Sequence, residues 1–86
     1  MYYVYCVITV DHKLYIGSTR DLRRRMDEHN SGKSKYLIGK LPVKLDFYIS
    51  VKTEEKAREL EKYFKTGSGR AFLRKRILSD EVFSVV

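Results

Sequence analysis

The sequence of 86 residues contains one cysteine, one proline and no tryptophan. A lone cysteine cannot form an internal disulfide, and no set of cysteine and histidine residues has the spacing of a zinc site. No apolar run approaches the roughly 20 residues that a membrane span requires, and the first residues lack the pattern of a signal peptide. These absences argue against a disulfide scaffold, a zinc domain and an integral membrane protein, so we expect a cytoplasmic domain that does not contact the membrane.

Acidic residues are also scarce. The chain has 11 Asp and Glu residues against 18 Lys and Arg residues, which gives a formal net charge of +7. A basic domain attracts polyanions, and nucleic acid is the leading class of partner. Residues 62–76 hold six basic and no acidic residues, and residues 31–45 hold four and none. A solvated surface that favours solubility is the other interpretation of such runs. The predicted nucleic-acid-binding residues in or near these runs are Lys33, Lys35, Lys65, Arg70, Arg74 and Arg76.

The overall composition, 43% hydrophobic and 34% charged residues, is that of an ordinary globular domain. A chain this short buries too little surface for two cores, so we expect one domain over residues 1–86. Apolar periodicity and cap residues predict the order β-β-α-β-α-α, an α+β fold. The expected strands are residues 2–8, 14–17 and 45–51, and the expected helices are residues 21–30, a second helix capped by Thr53 and ended by Gly67, and a third capped by Ser68 and running to about Leu78. The third strand should have one apolar face, made of Leu45, Phe47, Ile49 and Val51.

The first two strands predict a pair of tyrosines on one face of the sheet. Side chains alternate between the faces of a strand, so the apolar sets of both strands meet in the core if Cys6 pairs with Ile16. That register places Tyr5 opposite Gly17 and beside Tyr15, and it requires an odd number of loop residues, most simply three. Because Gly17 has no side chain, we expect it to leave room for another molecule to approach the Tyr5 hydroxyl. Tyrosine is also simply a good strand residue, which is the alternative for both positions. The expected core residues of the two strands are Val4, Cys6, Ile8, Leu14 and Ile16.

Two of the predicted helices carry polar residues where apolar ones are expected. Arg25 and His29 share the spacing of the apolar residues on the first helix, so we expect them to point inward or along the edge of a cleft. Glu61 has a similar position on the second helix, and its carboxylate needs a partner. That partner is either Arg25, in a structural ion pair, or a divalent cation, whose hard charge prefers oxygen ligands.

Taken in order, these residues resemble the GIY-YIG nuclease family, and in particular its small stand-alone members. Tyr3-Val4-Tyr5 stands at the family's first motif, with tyrosine in place of its glycine, and Tyr15-Ile16-Gly17 matches the second motif literally. The segment from Ser18 to Arg25 is similar to the motif helix, in which Arg25 takes the position of the catalytic arginine. The likeness covers about residues 2–66. It also includes His29-Asn30-Ser31-Gly32-Lys33 and the set Ala57, Glu61 and Lys65, which matches the segment with the metal-binding glutamate.

The resemblance implies a three-stranded antiparallel sheet flanked by helices, and hydrolysis of DNA phosphodiester bonds with one divalent cation, Mg²⁺ or Mn²⁺, and no small-molecule cofactor. In this scheme Glu61 holds the metal and Arg25 neutralises the phosphate. One of Tyr5 and Tyr15 takes the proton of the attacking water, and the other positions that water. The site must either lower the pKa of that tyrosine, through the metal and Arg25, or relay its proton through His29. Gly17 is expected to lie at the DNA.

We expect no further domain that reads a base sequence, and therefore weak or structure-directed specificity. Branched or nicked DNA is then a candidate substrate, and DNA repair or recombination a candidate role. Two alternatives stay open: a nucleic-acid-binding module of the same fold that does not cleave, and an interaction protein whose basic surface binds an acidic protein. The binding module would lack metal-dependent nicking. Salt-dependent retention on DNA would argue against the interaction protein.

Overall fold

The strands and helices follow the predicted order. A computed structural model describes residues 1–33, 37, 39–78 and 84–85. Three antiparallel strands and three helices occur in the order β-β-α-β-α-α, and a two-residue strand is added after them. The α+β prediction and the antiparallel sheet are confirmed. The elements are β1 (Tyr2–Ile8), β2 (Lys13–Thr19), α1 (Leu22–Asn30), β3 (Lys44–Val51), α2 (Glu54–Phe64), α3 (Gly67–Arg76) and β4 (Ser84–Val85).

Each helix begins at a residue whose side-chain oxygen accepts a backbone N–H of the first turn. Asp21 caps α1 and Thr53 caps α2, the second as predicted. Thr66 caps α3, which begins at Gly67. The predictions that Gly67 ends the second helix and that Ser68 caps the third are therefore wrong, because α2 has already ended and Thr66 supplies the capping hydroxyl two residues earlier. No helix in the described ranges is long and apolar enough to cross a membrane.

The strand β1 lies inside the sheet, whose order is β3-β1-β2-β4. It pairs antiparallel with both β2 and β3, whereas β4 pairs parallel with β2. Cys6 lies opposite Ile16 and Tyr5 opposite Gly17, which confirms the predicted register of the hairpin. One strand therefore supplies side chains to both layers of the domain.

The turn between β1 and β2 has the predicted length. The backbone N–H of Thr9 donates to the carbonyl of Lys13 at 2.8 Å, which leaves residues 10–12 as a three-residue loop. His12, its last residue, has a φ of 61°. A left-handed residue at that point is typical of three-residue hairpin loops.

One face of the β1–β2 hairpin packs against α2 and α3. Its buried sheet residues are those predicted from the alternation, and the Phe64 ring of α2 lies 6.2 Å from the Phe47 ring of β3. We call this side of the sheet the core face. Its buried residues are Val4, Cys6, Ile8, Leu14, Ile16, Ala57, Phe64 and Leu73.

A glycine lies where α3 meets the end of α2. Gly69 is buried, and a Cβ at this position would collide with the backbone carbonyl of Tyr63. A backbone carbonyl cannot turn aside as a flexible side chain can. The close approach of the two helices therefore requires glycine here.

The strand β3 departs from strict alternation. Phe47 pairs with Cys6, but Leu45 pairs with Val7, so Asp46 is the extra residue of a β-bulge. The bulge moves Leu45 to the other face of the sheet, where it is exposed. The predicted apolar face is confirmed for its last three members and is wrong for Leu45.

Candidate active site

The face of the sheet opposite the core face carries the two tyrosines. Tyr5 and Tyr15 both lie on it, packed among residues that include Leu22 and Met26 of α1, and we call it the tyrosine face. Tyr5 is only 1% exposed. Its hydroxyl shares a hydrogen bond of 2.7 Å with Nε2 of His29, and it accepts one from Nε of Arg25 at 3.4 Å. The structure thus brings together three of the residues that the sequence predicts as catalytic.

Gly17 makes this position of the Tyr5 hydroxyl possible. A Cβ on Gly17 would lie 2.5 Å from the hydroxyl oxygen and 2.7 Å from the ring carbon that bears it. The phenol end of Tyr5 therefore lies directly over the Gly17 backbone. The expectation that Gly17 leaves room for another molecule is wrong, because the Tyr5 side chain itself fills that room.

His29 is the buried partner of both tyrosines. Its side chain is 0% exposed, and its ring lies 5.7 Å from the Tyr5 ring and 5.6 Å, edge to face, from the Tyr15 ring. Among the described residues, Nδ1 of His29 has no hydrogen-bond partner. The Tyr5 hydroxyl is thus the group in the described ranges that can exchange a proton with this imidazole.

Burial sets the protonation of this pair. It raises the pKa of Tyr5 to about 12, and the hydrogen bond and the charge of Arg25 offset only part of that rise. Burial also lowers the pKa of His29, and the charge of Arg25 lowers it further. At neutral pH the pair is therefore a protonated phenol beside a neutral imidazole, which is able to accept a proton.

Arg25 joins the tyrosine to an acidic residue of its own helix. Its hydrogen bond to Tyr5 is the main cause that raises the pKa of Arg25, and Glu28 adds to the effect. Nη1 of Arg25 donates to Oε1 of Glu28 at 3.2 Å, and Glu28 also pairs with Arg24 at 3.6 Å. Sequence reasoning missed Glu28. Its spacing of three residues from Arg25, which places two side chains side by side on a helix, is the signal that could have identified it.

Glu61 meets the sheet from the core face. The Ser18 hydroxyl donates to its Oε1 at 2.6 Å, and the Lys65 ammonium donates to its Oε2 at 2.8 Å. No hydrogen bond or ion pair joins Glu61 to Arg25 in the described chain, so the alternative of a structural ion pair between them is wrong. Among the described residues, the Tyr5 hydroxyl is hydrogen-bonded to Arg25 and His29 and not to Glu61. Gly17 and Ser18 are consecutive residues of β2. Ser18 bonds the Glu61 carboxylate on the core face, and Gly17 lies against the Tyr5 phenol on the tyrosine face.

The Glu61 carboxylate has the chemistry of a minimal divalent-cation site. Burial works to raise its pKa, but the hydrogen bonds from Lys65 and Ser18 outweigh burial, so the pKa of Glu61 lies below its usual value and the group is ionised. Its side chain is 25% exposed. Magnesium is commonly held by one carboxylate together with waters and a phosphate oxygen. In the part of the chain that the structure describes, no group of three His, Cys, Asp or Glu side chains could enclose a metal, so Glu61 with solvent and substrate oxygens is the arrangement that fits.

The predicted nucleic-acid-binding residues lie on different layers of the domain. Lys33 is exposed just beyond α1, whereas the three arginines are exposed along α3 on the other side of the sheet. Lys65 is already paired with the Glu61 carboxylate. Lys35 lies outside the described residues. The three arginines are Arg70, Arg74 and Arg76.

Comparison with known proteins assigns the class of this domain. The family model described as the GIY-YIG catalytic domain matches residues 1–76, which include every element from β1 to α3. The fold and the tyrosine hairpin are those of a nuclease domain. The chain belongs to the GIY-YIG family, whose members act on DNA.

Particular relatives are UPF0213 proteins. The chain is 44% identical over 64 residues to one from Streptococcus pneumoniae, a match that covers 73% of this chain and 65% of that protein. It is 38% identical over 72 residues to one from Streptococcus agalactiae, with 83% and 82% covered. A solution NMR structure of a UPF0213 protein from Bacillus halodurans matches with a TM-score of 0.54 and 32% identity over 87% of this chain and 84% of that one. The chain thus spans just under two thirds of the pneumococcal relative and more than four fifths of the other two.

Proposed function

We propose that residues 1–86 form one nuclease domain, an endonuclease that hydrolyses DNA phosphodiester bonds with one divalent cation and with weak or structure-directed specificity. The observation that carries this proposal is the Tyr5 hydroxyl, held between Nε of Arg25 and Nε2 of His29. It lies over Gly17, and the next residue of β2, Ser18, contacts Glu61. A proton acceptor, a phosphate-binding cation and a metal-binding carboxylate are the groups that phosphodiester hydrolysis needs. The buried free thiol of Cys6 suits a reducing cytoplasm.

Tyr5 and His29 act together as the base in this scheme. A phenol whose pKa is about 12 is a poor base alone, since its proton must leave before it can accept another. The neutral His29 imidazole, hydrogen-bonded to Tyr5, can take that proton while the Tyr5 oxygen takes one from water. The resulting hydroxide forms the new P–O bond, and the P–O bond on the opposite side breaks. Tyr15, which is less buried than Tyr5, is left to orient the water.

The negative charge that develops on the phosphate would be stabilised by Arg25 and by a cation that Glu61 holds. The guanidinium of Arg25 already contacts Tyr5 and Glu28, and its remaining N–H groups can bind the equatorial oxygens of the transition state. Glu61 would hold Mg²⁺ or Mn²⁺ with the Ser18 oxygen beside it, and Lys65 would have to release the carboxylate. When bound, such a cation supplies positive charge to the phosphate and the leaving oxygen.

Substitution of Glu61 by Gln tests the proposal. Glu61→Gln keeps the size and hydrogen bonds of the side chain but removes the charge that a cation needs. We expect the variant to fold with a loss of less than about 1 kcal/mol, since its ion pair with Lys65 is partly exposed. We also expect it to bind DNA as the parent does and to lose cleavage in Mg²⁺ or Mn²⁺. Glu59→Gln on the exposed side of the same helix is the matched control and should cut normally. A folded Glu61→Gln protein that cuts at the parent's rate would contradict the metal-dependent mechanism.

One observation favours the second candidate, a nucleic-acid-binding module that does not cleave. The Lys65 ammonium neutralises Glu61 from within the chain, as a structural ion pair does. If this is the permanent role of Lys65, the parent protein retains DNA in a salt-dependent way but nicks none of a panel of branched, nicked, flapped and single-stranded DNA in either cation. Metal-dependent nicking of any member of the panel eliminates this candidate.

A further inference from the structure

We propose that Tyr3 and Tyr48 form a stacking platform for an unpaired DNA base, next to the candidate active site. This inference rests on the proposed function and names the class of substrate that the site takes, namely single-stranded or locally opened DNA. Tyr3 is one of the departures of this chain from the GIY-YIG motif, where it replaces glycine. Tyr48 is not among the site residues predicted from the sequence.

The platform lies on the tyrosine face. Tyr48 of β3 lies directly across from Tyr5, and Tyr3 lies two residues before Tyr5 on the same strand. All three side chains therefore occupy the same face, with Tyr3 and Tyr48 as diagonal neighbours. Their ring centroids are 5.9 Å apart, with an angle of 68° between the planes.

The rings of the platform are available to a ligand. Tyr48 is 53% exposed and Tyr3 is partly exposed. In an edge-to-face pair, one ring covers a single face of the other, so the remaining ring faces stay uncovered by the pair. A base that stacks on an exposed aromatic ring removes apolar surface from water, and this contribution does not depend on base sequence.

The platform and Arg25 of the candidate active site line one groove. This groove, of about 1050 Å³, is lined by Tyr3 and Tyr48 and also by Arg25, whose Nε contacts the Tyr5 hydroxyl. Arg20 and Arg23 line the same groove, and neither forms an ion pair with a described residue. Aromatic rings flanked by arginines are the combination that binds single strands, since the cations follow the phosphates while the rings stack on the bases.

The stacking requirement selects an unpaired base over a duplex. In a double helix the faces of the bases are covered by their neighbours, and a protein meets only the base edges and the backbone. A tyrosine on the rigid surface of a sheet can stack only on a base that has left the duplex. A strand that is unpaired at or beside the cleaved phosphate can therefore use both Arg25 and the platform, whereas an intact duplex can use only the cations.

Binding in EDTA tests the platform without any cleavage. The probes are a labelled oligothymidylate, the same strand with abasic sites in place of its bases, and a duplex of equal length. We expect Tyr48→Ala to weaken binding of the oligothymidylate roughly ten-fold or more, with little change in duplex binding or in the salt dependence. The abasic strand, which keeps the phosphates, should bind to the parent as weakly as the intact strand binds to the variant.

Two further variants control for effects other than stacking on Tyr48. Tyr63→Ala removes an exposed tyrosine of α2 that lies outside the groove, and it should bind all three probes as the parent does. Tyr48→Trp restores a stacking surface and should restore binding, whatever Tyr48→Ala does to stability. Equal effects of Tyr48→Ala and Tyr63→Ala, equal losses on the duplex and the single strand, or full binding of the abasic strand would each overturn the platform. These outcomes are independent of cleavage, so the failure of the platform and the failure of the nuclease proposal are read from different assays.

Discussion

The two faces of the sheet hold their buried groups in different ways. On the core face, the buried side chains are aliphatic or aromatic apart from the thiol of Cys6, and α2 and α3 cover them. On the tyrosine face, a phenol and an imidazole are buried as deeply as any of those. A hydrogen bond joins them to each other, and Arg25 donates a second one to the phenol. The same strand, β1, supplies alternate residues to both sides.

This difference assigns separate tasks to the apolar groups of the core face and to the buried polar groups of the tyrosine face. Apolar packing is tolerant of chemistry but sensitive to volume, so the core face mainly determines whether the chain folds. A buried polar network is costly unless every member is paired, so the tyrosine face is maintained at the expense of stability. The buried phenol and imidazole reduce stability and are not needed for the apolar core. We therefore expect them to take part in chemistry. Substitutions on each face, and a change of pH, test this division.

The largest effect is expected on the core face, at Gly69. Gly69→Ala places a methyl group against the carbonyl of Tyr63, which cannot yield without separating α3 from α2. We expect a loss of about 3 kcal/mol or more in the free energy of unfolding, measured by denaturant titration. Gly67→Ala, two residues earlier with open space around it, is the control and should be neutral or stabilising by up to about 1 kcal/mol. Equal stability of the two variants would show that the contact between these helices does not support the fold.

An intermediate effect is expected at Gly17, the residue of β2 that lies against the Tyr5 hydroxyl. Gly17→Ala displaces the Tyr5 hydroxyl from His29, because the new methyl group takes the place of the phenol oxygen. We expect a loss of about 1–3 kcal/mol in stability, as for other overpacked sites. Cleavage should be abolished even where thermal melts show that the variant is folded. Ser18→Ala changes the next residue without touching Tyr5, so it should keep the Tyr5–His29 contact, which the chemical shifts of the His29 ring report. A Gly17→Ala protein that cuts DNA normally would separate the Tyr5 position from the chemistry.

The smallest effect is a pH dependence that comes from the tyrosine face. Burial lowers the pKa of His29 in the folded state, so below about 6.5 the unfolded chain binds a proton that the folded chain does not. The stability of the parent should therefore fall as the pH decreases from about 6.5 toward the folded pKa. His29→Gln should lose this component, while His12→Asn in the exposed turn should keep it. Parallel stability profiles for the parent and His29→Gln would mean that His29 does not titrate as a buried group.

Much of this division can be predicted from the sequence, since strand side chains alternate regardless of what surrounds them. A shift of one residue in the register would move the apolar side chains of one strand to the opposite face from those of the other. The pairing of Tyr5 with Gly17 was therefore predictable. The faces of α1 follow in the same way from its spacing, which placed Arg25 and His29 inward.

Contacts between distant residues, and choices between similar residues, escape such reasoning. The hydrogen bond from Ser18 to Glu61 spans 43 positions, and nothing local to either residue predicts it. The bulge at Asp46 breaks the alternation on which the prediction for Leu45 depended. Thr66 was missed as the cap of α3 because a serine and a glycine close by suggested a later start, and both hydroxyl residues are good caps.

The position of Tyr5 on an inner strand has a consequence for how readily it and its two partners move. Amide exchange in folded proteins proceeds through local openings, and inner strands open only when nearly the whole molecule unfolds. Tyr5 lies on β1, which has a neighbouring strand on each side, whereas Arg25 and His29 belong to a nine-residue helix at the surface of the domain. The amide of Tyr5 should thus exchange at the slowest rate in the protein and the amides of α1 much faster. The phenol is therefore anchored to the most persistent part of the sheet, whereas Arg25 and His29, which hold its hydroxyl, belong to an element that opens more readily.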